Sequence, residues 1–130
     1  MEKMDIKNFT INFDKKYFPF PLCVEWLDGK RWKLLSLFEY HRDTSEVIIV
    51  PKDFITDFGS KPVFSWLWVG SPTDEAGPAY IIHDFLCEQL DYPVSRADKI
   101  FLECMTVLGV PIWKRMIMYW AVRMFHLFQK

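Results

Sequence analysis

The chain predicts an α+β domain, an N-terminal antiparallel sheet followed by three packed helices, the last strongly apolar. Three observations carry this. In the first half, apolar residues alternate with polar ones at the period of half-buried strands. Beyond about residue 77 they recur at steps of three and four, the period of a helix. Between the two lies a stretch from Asp53 to Gly77, punctuated by Gly59, Pro62, Gly70, Pro72 and Gly77, that reads as loop. A length of 130 residues suits a single domain over 1–130 with one sizeable core.

Each element follows from local signals. Phe9, Ile11 and Phe13 alternate with polar neighbours, and Asp28-Gly29 marks a turn. The β-rich run from Trp32 to Tyr40 and the strand Glu46–Val50 flank the turn Asp43-Thr44-Ser45, which predicts a hairpin. Pro51 ends the second strand because proline has no amide hydrogen for the ladder. The first helix runs from about Pro78 to Leu90, with proline in the first turn, and Tyr92-Pro93 breaks the chain after it. Ser95 is expected to cap the second helix, with Asp98 at the acid position of a capping box, and Gly109 and Pro111 end that helix. The third helix extends from about Pro111 to the C-terminus.

Composition narrows the function classes. A formal charge of −1 gives no basic field for nucleic acid. Cys23, Cys87 and Cys104 lie far apart without CxxC spacing, which argues against a disulfide framework and a structural zinc site. Cys87 and Cys104 read as small core residues, and Cys87 also as a candidate site-shaping group. Residues 1–10 contain no signal-peptide apolar region, so synthesis in a reducing cytoplasm is expected, with any outside role reached by another route.

The third helix admits two readings. Met116 to Val122 is an unbroken apolar run between Lys114-Arg115 and Arg123, and these basic residues argue against a membrane span. All-round apolarity favours a central helix buried on most sides. The other reading lays a Trp/Met/Phe face, rimmed by Arg115 and Arg123, on a partner, a second copy or a bilayer surface.

The chemistry concentrates on His83, Asp84 and Asp98. Ala79, His83, Leu86 and Leu90 fall on one stripe of the first helix, and Asp98, Phe101, Met105 and Leu108 on one stripe of the second. A histidine and an aspartate in the core-facing stripes of neighbouring helices are expected to pair, because an unpaired buried charge is costly. One reading is a structural pin between two helices. The other is a general base, His83, oriented by Asp98, with Asp84 beside it as a metal ligand. In the preceding loop, Asp57 and Ser60 are either turn formers or further site residues, Asp57 as a second metal ligand and Ser60 as a site-shaping group. His41 and His126 read as surface or interface residues.

Four segments carry a family resemblance. Val50 to Pro62 resembles the VPxGFxTDxASxP signature of a small uncharacterised family common in tailed-phage and prophage genomes. That family also carries HDxLY, here His83 to Cys87, and an SR-ADxxF helix, here Ser95 to Phe101. Its end resembles LGVPxWxRxxMYWAVRxF, here Leu108 to Phe125. Among the departures, Asp53 stands where the family has glycine, and Cys87 where it has tyrosine. The resemblance implies a phage context, with synthesis in a host cytoplasm, a place in the virion tail or baseplate, and phage structural proteins as partners.

The His83-Asp84 pair with a carboxylate on the next helix also resembles the core of secreted calcium-dependent phospholipases. That resemblance implies His83 as the base activating water, Asp98 as its orienting group, Asp84 as a calcium ligand, and the Asp57-to-Ser60 loop as completing the site, with Cys87 where those enzymes carry a tyrosine. Their glycine- and cysteine-rich calcium loop has no counterpart here. Two functions are therefore expected to compete: a phage-encoded hydrolase acting on lipid or another cell-envelope substrate, assisted by calcium or another divalent cation, and a non-catalytic virion component that uses the same residues as braces.

Overall fold

A computed structural model of the chain describes residues 8–29, 31–57 and 75–128. It falls into two compact units, Met1–Thr56 and Asp57–Lys130.

The first unit is antiparallel β. Strands β1 (Asn8–Ile11), β2 (Leu22–Asp28), β3 (Arg31–Leu34) and β6 (Ile55–Thr56) form one sheet in the order β1-β2-β3-β6. β4 (Phe38–His41) and β5 (Val47–Val50) form a second, two-stranded sheet. The hairpin expected from the sequence is β4–β5, with Phe38 opposite Val50 and Tyr40 opposite Ile48, all four buried. The β-rich run Trp32–Tyr40 is not one strand, because the backbone of its first part is already used elsewhere. Leu34 donates to the Phe54 carbonyl and accepts from Asp53, Leu35 donates to Cys23, and the chain then bends before β4. Phe18 fills the core, stacked on Phe38 and Tyr40 at 5.5 and 5.2 Å.

The second unit contains α1 (Gly77–Glu88), α2 (Val94–Val107) and α3 (Ile112–Phe128). α1 ends two residues short of Leu90, which is fully exposed rather than part of the stripe. The helix buried on most sides is α1, not α3. Gly77 to Asp84 and Leu86 are all buried in α1, whereas α3 buries only Met118 and Val122. The physical reason is side-chain chemistry: α1 carries no Lys or Arg, while Lys114, Arg115 and Arg123 give α3 polar heads to place. The expected Ser95 cap is absent. Pro93 is the N-cap residue of α2, and no side chain caps that end.

Two backbone positions make opposite predictions from one cause. Gly109 ends α2 with φ +79°, its amide donating to Thr106 and the Val110 amide donating to Met105, the pair of bonds of a Schellman motif. Asp53, at the position where the resembled family has glycine, has φ +72° in a turn closed by Phe54 donating to Pro51. A left-handed conformation costs a residue with a Cβ about 1–2 kcal/mol, offset by about 0.4–1 kcal/mol because glycine loses more entropy on folding. Asp53→Gly is therefore expected to raise stability by up to about 1 kcal/mol, and Gly109→Ala to lower it by a similar amount. A Cβ at Gly109 meets nothing within 4 Å, so the loss there is purely conformational. Urea denaturation of both variants measures the pair.

Candidate functional site

The site is built by three helices around one carboxylate. Asp98, on α2, is completely buried. Its Oδ1 accepts a hydrogen bond from His83 Nε2 on α1 at 2.7 Å. Its Oδ2 accepts from two groups on α3, Arg123 Nη1 at 2.9 Å and His126 Nδ1 at 2.8 Å. The sequence expectation that His83 and Asp98 meet across adjoining helices thus matches the geometry. Asp98 as a capping-box acid does not, since its oxygens serve α1 and α3 rather than the end of its own helix.

An ionised carboxylate is acceptor-only, and here all three partners are donors. Burial alone pushes the Asp98 carboxyl up; donation from His83, His126 and Arg123 outweighs it and holds the group below its ordinary range. The partners also fix the imidazoles. With Nε2 of His83 donating to Asp98, the ring nitrogen left to accept a proton is Nδ1; with Nδ1 of His126 donating, it is Nε2. The rings lie 5.8 Å apart, and Phe101 packs against His83 at 4.7 Å.

Cys87 sits one helical turn after His83, with Sγ 3.5 Å from the same Nε2. It is half-buried and belongs to the site, whereas Cys104 is the enclosed core thiol, its pKa driven up by burial. His83, Cys87, Asp98 and His126 each offer one potential ligand atom, all within 4.8 Å of one another.

Sequence reasoning does not find the α3 side of this site. His126 is half-buried and turned to Asp98: it continues the buried four-residue steps Met118 and Val122, which was the signal available. Arg123 does not rim an outer surface either. Its head turns to Asp98, with 19% of the side chain exposed. Arg115 likewise turns inward, donating to the Val110 carbonyl at 2.9 Å. A cavity of about 340 Å³, lined by Pro93, Val94, Ser95, Arg123, His126 and Leu127, opens beside these two α3 residues. His83, with 6% of its side chain exposed, does not line it.

The other sequence candidates are not among these four residues. Asp84 is buried on α1 and Asp57 half-buried, and among the described residues neither belongs to a group of three or more ligating side chains. Ser60 lies outside the described residues. Calcium takes six to eight oxygen ligands, and the clustered donors are two nitrogens, a sulfur and one carboxylate.

These features define a class, an antiparallel β unit followed by a three-helix unit with a His–Asp–His constellation around a buried carboxylate. The chain belongs to the DUF1353 family of proteins of unknown function, whose profile matches residues 32–122. That span contains His83, Cys87 and Asp98 and stops just short of Arg123 and His126. The chain is also similar to the uncharacterized protein y4jT of Sinorhizobium fredii (strain NBRC 101917 / NGR234), 36% identical over 74 residues. The aligned part is 56% of this chain and 22% of that relative, so the chain spans a small part of the relative's length. No solved structure matches.

Proposed function

We propose that the protein is a phage-encoded hydrolase acting on lipid or another cell-envelope substrate, with an Asp98-oriented histidine as general base. One observation carries this reading: a single buried carboxylate orients two imidazoles, and one of them, His126, lines an open cavity. An imidazole with one nitrogen tied to a carboxylate presents the other as acceptor for a proton from water. Arg123, on the wall of the same cavity, is placed to attract an anionic substrate group. His83 is the base that the phospholipase resemblance implies, and His126 is the base the cavity favours.

Ester and phospholipid hydrolysis by the purified chain separates these roles. His126→Ala is expected to lower turnover by about 100-fold or more, the scale of losing a general base. His83→Ala is expected to lose as much if it is the base, and less if it only fixes Asp98. Full activity in both variants, or no hydrolysis across the panel by the wild type, overturns the reading.

A second reading, a non-catalytic virion component, has its own observation. Trp113, Ile117, Trp120, Met124 and Leu127 are exposed on α3 at alternating steps of four and three, the spacing of a helix-pairing seam. No helix among the described residues is long and apolar enough to cross a membrane. Self-association through this seam predicts a dimer that Trp120→Glu converts to monomer in sedimentation. Wild-type chain that stays monomeric and ignores liposomes removes this reading.

A further inference from the structure

We infer that His83, Cys87, Asp98 and His126 form a binding site for a single zinc-class transition metal. The four potential ligand atoms come from all three helices and lie within 4.8 Å of one another. Two imidazole nitrogens, a thiol and a carboxylate suit zinc and its first-row neighbours, not calcium or magnesium. The donors are largely enclosed: 6% of the His83 side chain, none of Asp98 and 15% of His126 is exposed, and Cys87 is half-buried.

The spacing is close to what a metal needs. Zinc bonds of about 2.0–2.3 Å in tetrahedral geometry place ligand atoms about 3.3–3.6 Å apart. Cys87 Sγ and His83 Nε2 are already 3.5 Å apart. The contact of His83 Nε2 with Asp98 Oδ1, at 2.7 Å, has to widen by about half an ångström, and His126 Nδ1 has to leave Asp98 Oδ2, as metal bonds replace hydrogen bonds. The protons balance simply. The Cys87 thiol proton leaves to solvent, and each neutral imidazole shifts its proton to the ring nitrogen facing away from the metal. Arg123 stays on Asp98 Oδ2 as the outer partner that steadies a ligating carboxylate.

Occupancy by metal and general-base chemistry are mutually exclusive. A metal with four protein ligands leaves no position for water, and it takes both imidazoles from Asp98. The metal therefore staples three helices together and switches off the base. This goes beyond the hydrolytic reading, and its test does not depend on activity.

The full chain, stripped with chelator, is titrated with Co²⁺ and followed by absorption. One equivalent is expected to produce visible ligand-field bands and a near-ultraviolet thiolate-to-cobalt band, both erased by Zn²⁺ and untouched by Ca²⁺. Cys87→Ser is expected to lose the near-ultraviolet band, while Cys23→Ser keeps it. Loss of an outer-shell partner alone weakens metal sites about 10–100-fold, so His126→Ala is expected to weaken binding at least that much. His41→Ala, outside the cluster, binds as the wild type does. No bands in the wild type at cobalt excess, or a near-ultraviolet band that survives Cys87→Ser, overturns the proposal. Metal binding without any hydrolysis by the metal-free chain leaves the site standing and removes the hydrolase; the reverse result does the opposite.

Discussion

Asp98→Ala is expected to cost about 3–5 kcal/mol, the range found when one member of a buried ion pair is removed. The loss is large against a total folding stability of about 5–15 kcal/mol. Deleting the carboxylate leaves Arg123, four-fifths buried along its side chain, without its anion, and removes the acceptor for both His83 and His126. Asp98→Asn keeps the volume and one acceptor oxygen but turns an amide toward a donor, so a smaller cost of about 1–3 kcal/mol is expected. Adding Arg123→Met to Asp98→Ala is expected to recover part of the loss by removing the stranded charge. The same carboxylate sets an acid limit. Its folded pKa lies below the unfolded value of about 3.9, so its contribution is complete above that pH and drains away as pH falls through the folded value. Urea denaturation of chelator-treated protein at neutral and acid pH measures all three variants. An Asp98→Ala loss under 1 kcal/mol means the constellation does not hold the helices.

Helix periodicity made α1, α2 and the His83–Asp98 contact legible, because both residues interrupt apolar stripes and each stripe must find a partner. The β unit was less so. β2 begins straight after Phe18-Pro19-Phe20-Pro21, whose prolines signal loop, and its inward alternation ends early: Leu22 and Val24 are buried but Trp26 is exposed. Trp26 instead reaches round the turn to donate to the Gly29 carbonyl, a local bond that no period encodes. β6 is two residues long and defined by its partner β3 alone.

The α3 contribution to the site was hidden by composition. An apolar run draws the eye to packing, and Arg123 and His126 look like the ordinary polar edge of such a helix. Three residues apart, they project from one face, and that face holds the buried Met118 and Val122. A basic residue and a histidine on a buried stripe need an anion, and Asp98 on α2 is a buried anion. That step joins two stripes through charge balance rather than through hydrophobic period. Cys87 follows from helix geometry instead: four residues after His83, it shares that residue's face and brings its thiol to the same imidazole.

Phe101→Ala is expected to cost about 3–5 kcal/mol and also to disturb the site, and the two effects can be separated. Phe101 is wholly buried on α2, its ring 4.7 Å from that of His83 and 6.0 Å from that of Tyr80. Truncation to alanine removes an aromatic side chain from a region where α1 is enclosed on most sides, so collapse to refill the space is restricted and the cavity term is near its upper range. The His83 ring then loses the wall that sets its angle toward Asp98. Ile100→Ala is the matched control: Ile100 is buried on the same helix, and its truncation costs about 2–5 kcal/mol through an aliphatic side chain. Urea denaturation is expected to show losses of similar size for both variants. Nitrogen-15 imidazole spectra are expected to show the fixed Nε2-protonated form of His83 in the wild type and in Ile100→Ala, and tautomer averaging only in Phe101→Ala. An unchanged His83 signal in Phe101→Ala means that Asp98 alone sets the imidazole, and that the aromatic contact serves packing and nothing more.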